Sequence, residues 1–70
     1  MERQHIENLF RRHKGQMVNI KTVSGGLYKG HVGEITNDYV ALTDRETEDS
    51  TFVLFNSIES VLVVDVPGSG

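Results

Sequence analysis

Residues 15–44 read GQMVNIKTVSGGLYKGHVGEITNDYVALTD, and this stretch decides the fold because it predicts three successive strands. Val18, Ile20 and Thr22 alternate with polar residues, and this period of two is typical of a strand that buries one face. The sequence SGG at 24–26 favours a tight turn, which returns the chain beside the first strand. The first two strands are therefore predicted to form a hairpin.

The second predicted strand contains two glycines, which normally weaken strand pairing. Tyr28, Gly30 and Val32 share one face of this strand, whereas Ile35 breaks the alternation. This break predicts a β-bulge near Gly33. A bulge and a bend at the glycines let a short sheet curl onto itself, so we expect a small barrel.

The helix is predicted before the hairpin, over residues 2–14. Ile6 and Phe10 are spaced so that their side chains share one helix face. Basic residues follow Phe10 in the last turn, where the helix macrodipole favours cations, and Gly15 is placed to end the helix. We therefore expect an amphipathic helix that caps the sheet.

The rest of the chain continues the β pattern. Strands are predicted over residues 16–23, 27–35, 39–43, 51–55 and 61–66, with a charged loop over 44–50 and one helical turn over 56–60. In the third strand Val40 and Leu42 are expected to face the core and Tyr39 to point away from it. The domain is expected to span residues 1–66 and to be followed by a flexible tail, 67–70.

The last two predicted strands are apolar on both faces. In a small barrel one face should meet water, so this pattern indicates a second cover from a neighbouring subunit. The chain has 70 residues and no cysteine, and chains of this size usually need disulfides, a metal or self-association for stability. Self-association is therefore predicted.

Catalytic and metal chemistry is not indicated. His5, His13 and His31 lack the spacing of metal ligands and have no thiolate partner. No serine has the context of a catalytic nucleophile, and no pair of carboxylates is set in an apolar pocket. We expect no enzyme activity, no metal and no cofactor. The lack of cysteine and of a membrane-spanning apolar run predicts a cytoplasmic protein without a membrane partner.

Charge is distributed unevenly along the chain. The net charge of −3 argues against a general nucleic-acid binder. The basic residues up to position 30 are, however, Arg3, Arg11, Arg12, Lys14, Lys21 and Lys29. After position 30 the acids are Glu34, Asp38, Asp44, Glu46, Glu48, Asp49, Glu59 and Asp65, with Arg45 alone opposing them. One basic and one acidic side of the molecule are expected if the two halves project apart.

The order of these residues resembles the Sm-like (LSm/Hfq-like) family of RNA-binding ring proteins. The resemblance is carried by Gly15, Val18, Ile20, Gly25, Tyr28, Gly30, Val32, Ile35 and the strand DYVAL at 38–42. It covers residues 6–66 and is nearest to the bacterial RNA-chaperone branch. It implies a mainly β fold, a small, strongly bent five-stranded Sm-like (SH3-like) barrel with a short N-terminal α-helix. It also implies a homo-oligomeric ring in which strand four of one subunit pairs with strand five of the next, and single-stranded RNA as the ligand.

The resemblance also implies a binding site near the pore of that ring. Tyr39 occupies the place of the family side chain that stacks on a base, and base stacking contributes roughly 1 to 3 kcal/mol per base. Asn37 and Asp38 lie in the loop that reads base edges in the family. In the second Sm motif the family has Arg-Gly or Lys-His, whereas this chain has Phe55 and Asn56, so the pore cation is missing.

Two groups of cations complete the implied RNA contacts. Arg11, Arg12 and Lys14 are expected to contact phosphates near the end of the helix. On the opposite ring face, Lys21 and Lys29 match positions that contact RNA in the chaperone branch, where this chain lacks the family aromatic.

The sequence leaves other functions open. A ring that acts as a protein-interaction or structural module without RNA is favoured by the missing pore cation and by the acids after position 30. A monomeric DNA-binding barrel is a third reading. The number of subunits in the ring and the biological target are not specified by the residues.

Overall fold

A computed structural model describes residues 3–64 of the chain. The elements in order are helix α1 Arg3–Arg12, strands β1 Met17–Thr22, β2 Leu27–Ile35, β3 Tyr39–Thr43 and β4 Ser50–Leu54, a 3-10 turn Phe55–Ser57, and strand β5 Ile58–Val63. All strand pairs are antiparallel, and the sheet order is β4-β3-β2-β1-β5. The predicted mainly β class, with five strands and one N-terminal helix, is confirmed.

Several predicted boundaries are corrected by the backbone hydrogen bonds. The helix ends at Arg12, before the predicted residue 14, because the chain turns there: the His13 amide donates to Phe10 and the Gln16 amide donates to His13. Gly15 then adopts a positive φ of 86°. β2 and β3 have the predicted bounds, whereas β1 is one residue shorter at each end and β4 begins and ends one residue earlier.

The largest correction concerns the predicted helical turn over 56–60. The turn is shorter, Phe55–Ser57, because the Ile58 amide closes it on the Phe55 carbonyl while Ile58 itself is already extended. Pairing with β1 then begins at once, with Thr22 opposite Ile58, so β5 starts three residues before the predicted residue 61. The predicted start of the helix at residue 2, the predicted strand end at 65–66 and the tail 67–70 lie outside the described residues.

The core lies between the helix and the concave side of the sheet. Phe10 of α1 is fully buried and stacks on Phe55 with ring centroids 5.9 Å apart. The buried cluster consists of Ile6, Phe10, Val18, Ile20, Val32, Val40, Leu42, Val53 and Phe55. As expected, Val40 and Leu42 face this core, and the apolar face of the amphipathic helix covers it.

The sheet bends at β2, as its glycines predict. A Cβ atom at Gly30 would lie 3.1 Å from the Leu42 Cβ and 3.2 Å from the Thr43 carbonyl oxygen, so β3 approaches Gly30 closely and a side chain there would require its neighbours to move. The register between β2 and β3 shifts between Val32 and Ile35, which confirms the bulge predicted near Gly33.

The bent sheet does not close into a barrel. β4 and β5 are its two edge strands, so the predicted barrel describes the curvature of the sheet only. Large apolar side chains are exposed on both edge strands: Phe52 and Leu54 on β4 and Leu62 on β5 are 59%, 58% and 63% exposed. Unpaired edges that carry such side chains favour association with another strand.

Candidate nucleic-acid interface

Thr36 shapes the turn that holds the predicted base-reading residues. Its hydroxyl oxygen accepts the backbone amides of Asp38 and Tyr39, both at 3.1 Å, and its own amide donates to the Tyr39 carbonyl at 3.0 Å. A threonine that binds backbone groups two and three residues ahead fixes a tight turn. Asn37 and Asp38 are therefore exposed at the tip of a defined turn between β2 and β3.

The 3-10 turn between β4 and β5 contacts the turn between β2 and β3. The Phe55 amide donates to the Asp38 carbonyl at 2.9 Å, and Tyr39 is the register partner of Leu54 at the end of β4. Asn56, exposed in the 3-10 turn, is thereby brought to the same end of the β3–β4 pair as the first turn. The four residues predicted near the pore, Asn37, Asp38, Tyr39 and Asn56, therefore cluster in one subunit.

Tyr39 is half-buried and makes two side-chain contacts. Its ring packs edge-on against Phe52, with centroids 5.3 Å apart and planes at 87°, and its phenol donates to the Glu34 carboxylate at 3.3 Å. The negative charge of Glu34 is the main cause that raises the pKa of Tyr39 above its ordinary value, with desolvation and the hydrogen bond adding to it. Tyr39 is thus positioned beside a carboxylate that disfavours ionisation of its phenol.

The helix end supplies cations near this cluster. Arg11 is held by Glu7 one turn before it, with its Nη2 and Nε atoms 2.6 and 2.9 Å from the same carboxylate oxygen. Arg11 and Lys14 also line an open cleft with Glu34. Within residues 3–64 neither Arg12 nor Lys14 forms an ion pair, so these two charges are available to an anion.

Arg12 faces a neighbouring cleft rather than this one. That cleft is lined by His5, Asn8, Arg11 and Arg12 along the exposed side of the helix. Two of the three predicted phosphate contacts, Arg11 and Lys14, therefore adjoin the Tyr39 cluster through Glu34, whereas Arg12 extends the basic surface away from it.

The two lysines of the predicted second face lie apart from this site. Lys21 on β1 and Lys29 on β2 alternate with residues that face the core, so they lie on the outer side of the sheet, away from the helix. Lys21 pairs with Glu59 of β5 at 3.3 Å. Lys29 adjoins a separate cleft that contains His31 and Arg45.

Residues 3–64 contain neither a metal-binding cluster nor a membrane-spanning helix. No group of three or more His, Asp or Glu side chains in residues 3–64 is placed to hold a metal ion. Across those residues no helix has the length and hydrophobicity needed to cross a bilayer.

Two residues of the cluster are not among the sequence predictions. Thr36 could have been found, since a threonine before Asn-Asp is a common way to organise a turn. Glu34 could not, because its contact with Tyr39 depends on the bulge in β2 and on the tight turn that follows it.

The fold has a counterpart among solved structures. A 1.55 Å crystal structure of Hfq, described as a pleiotropic translational regulator, is similar with a TM-score of 0.71 and 16% sequence identity, over 91% of this chain and 98% of that chain. No family profile and no curated protein sequence matches the chain. At this identity the likeness shows the fold: an Sm-like fold of the Hfq type.

Proposed function

We propose that this chain forms a homo-oligomeric Sm-like ring that binds single-stranded RNA. The observation that carries the proposal is the convergence of two turns, joined by the Asp38–Phe55 hydrogen bond, around one aromatic ring, that of Tyr39. Single-stranded RNA is recognised by stacking of unpaired bases on aromatic side chains and by hydrogen bonds to their edges. Asn37, Asp38 and Asn56 supply the polar groups for such edges.

The open edges of the sheet support the ring. β4 offers an unpaired backbone edge beside Phe52 and Leu54, and β5 offers one beside Leu62. When β4 of one subunit pairs with β5 of the next, both edges and these apolar side chains become covered, and repetition of that contact closes a ring. Several copies of the Tyr39 cluster then surround one axis.

We assign the contacts with the RNA backbone phosphates to the cations at the helix end. Arg12 and Lys14 are exposed and unpaired within the described residues, whereas Arg11 is partly neutralised by Glu7. Lys21 and Lys29 are a secondary contact on the outer side of the sheet. The Hfq that this fold resembles is a translational regulator, and RNA binding of this kind suits a similar cytoplasmic role without enzymatic chemistry or a cofactor.

A second candidate function is a ring that binds proteins and not RNA. The observation that favours it is the 3-10 turn Phe55–Ser57, which carries Asn56 where the resemblance implies a cation. This turn therefore offers an RNA phosphate no positive charge. RNA binding therefore depends on the helix-end cations.

Binding of a labelled short single-stranded RNA, measured by fluorescence anisotropy at several salt concentrations, tests the proposal. We expect binding at low salt that weakens as salt rises, and we expect Arg12→Ala to weaken it and to lower the salt slope by about one. Lys29→Ala, at the secondary contact on the other side of the sheet, should have a smaller effect. Absence of binding at low salt would favour the protein-binding ring.

A further inference from the structure

Glu34 lies between the Tyr39 ring and a cleft that contains cations. On one side its carboxylate accepts the Tyr39 phenol at 3.3 Å. On the other side it lines an open cleft of about 570 Å³, to which Arg11 and Lys14 also contribute. The Tyr39 ring therefore adjoins the Glu34 carboxylate, and this carboxylate shares a cleft with the cations of Arg11 and Lys14.

The Glu34 carboxylate has unused capacity to accept hydrogen bonds. An ionised carboxylate has about four acceptor positions and no donor, and the Tyr39 phenol occupies one of them. Within residues 3–64 no cation lies at ion-pair distance from Glu34, and the side chain is exposed. An N–H donor on a base that stacks on Tyr39 is therefore a suitable partner for Glu34.

The four RNA bases differ in how they meet such an acceptor. Adenine, cytosine and guanine each carry an exocyclic amino group, and acidic side chains accept from the amino group of cytosine in known base contacts. Uracil presents two carbonyl oxygens beside a single N–H, so a carboxylate next to uracil faces oxygen lone pairs along most of the edge of the base. No Lys, Arg or His occurs in residues 36–39 or 55–57 to bind those carbonyls.

We infer that Glu34 is a specificity-determining residue, which makes the Tyr39 site prefer bases with an exocyclic amino group, adenine, cytosine and guanine, over uracil. Lys14, across the cleft, neutralises the phosphate of the same nucleotide. This inference rests on the proposed RNA binding and adds to it the class of base. It also gives a role to a carboxylate that would otherwise weaken an RNA site by repulsion.

The test compares oligonucleotides of adenosine, cytidine and uridine of equal length, by fluorescence anisotropy at one low salt concentration. We expect the unmodified protein to bind the adenosine and cytidine strands about tenfold more tightly than the uridine strand. Glu34→Gln should reduce that ratio towards one, because an amide both accepts and donates and so tolerates uracil. Tyr39→Phe keeps ring and carboxylate and should keep the preference.

Glu46→Gln is the matched control, since it removes one exposed carboxylate in the loop between β3 and β4. It should leave the ratio unchanged. Equal or tighter binding of the uridine strand by the unmodified protein would overturn the inference and leave the proposed function standing. A binding ratio that Glu34→Gln does not change would have the same consequence. If none of the strands binds, the proposed function itself fails.

Discussion

At the scale of single residues, the contact between Tyr39 and Glu34 defines the candidate site. The phenol donates to a carboxylate that also borders the cleft with Lys14, and the ring also packs perpendicular to that of Phe52. A ring positioned in this way loses little conformational freedom when a base stacks on it.

The ionisation of Tyr39 gives a direct prediction. Because Glu34 raises the pKa of the phenol in the folded chain, the interaction stabilises the fold below the unfolded pKa of about 10 and is lost as pH rises through the higher folded value. Glu34→Gln should lower the pKa of Tyr39 towards its ordinary value. Tyrosinate absorbance in a Tyr28→Phe background, where Tyr39 is the one tyrosine left, measures this.

Glu46→Gln in the same background serves as the control for a general loss of negative charge, and it should leave the Tyr39 titration in place. Equal titration midpoints in the Tyr28→Phe background with and without Glu34→Gln would show that the carboxylate does not influence the phenol.

At the scale of elements, the helix and the glycine-containing hairpin follow from local signals in the sequence. The Gly30 crossing and the bulge near Gly33 are predicted because a glycine inside a strand and a broken alternation are both typical of bends and bulges. The end of the helix and the start of β5 are not predicted by local signals. They depend on the His13 turn and on the pairing of Ile58 with Thr22, which are set by tertiary contacts.

The candidate site is predictable to a similar extent. Tyr39 and the Asn37-Asp38 turn can be identified from the order of the residues. Their meeting with Asn56 requires the Asp38–Phe55 hydrogen bond, and this joins residues that are distant in sequence. The place of Glu34 likewise depends on the bulge, which turns its side chain towards Tyr39.

The helix is expected to stabilise the sheet through one buried aromatic contact. Phe10→Ala should lower the free energy of unfolding by about 3 to 5 kcal/mol, because it removes a fully buried ring that stacks on Phe55. Leu9→Ala, on the half-buried neighbour, should cost clearly less. Chemical denaturation at one protein concentration measures both, and equal losses would contradict the role assigned to Phe10.

At the scale of the whole molecule, the open sheet explains why so small a chain exposes large apolar side chains on both edge strands. A single subunit leaves Phe52, Leu54 and Leu62 in water, whereas the proposed β4–β5 pairing between subunits would cover the edges that carry them. The proposed assembly would also gather several Tyr39 clusters and helix-end cations into one binding surface.

Substitutions at two exposed leucines distinguish the proposed edge contact from the rest of the surface. Leu62→Lys on β5 should reduce the oligomer to smaller species, because it places a charge in the proposed contact. Leu27→Lys on the interior strand β2, where the leucine is 78% exposed, should leave the assembly intact. Light scattering after size exclusion measures the mass, with circular dichroism to show that both variants fold. Dissociation by both variants alike would contradict the assigned interface.

The most direct test of the ring is the native mass of the unmodified chain. A closed ring predicts one species, at a fixed integer multiple of the 7.8 kDa subunit, that persists as the protein is diluted. A 7.8 kDa monomer throughout the concentration range would contradict the ring and, with it, the surface to which RNA binding is assigned.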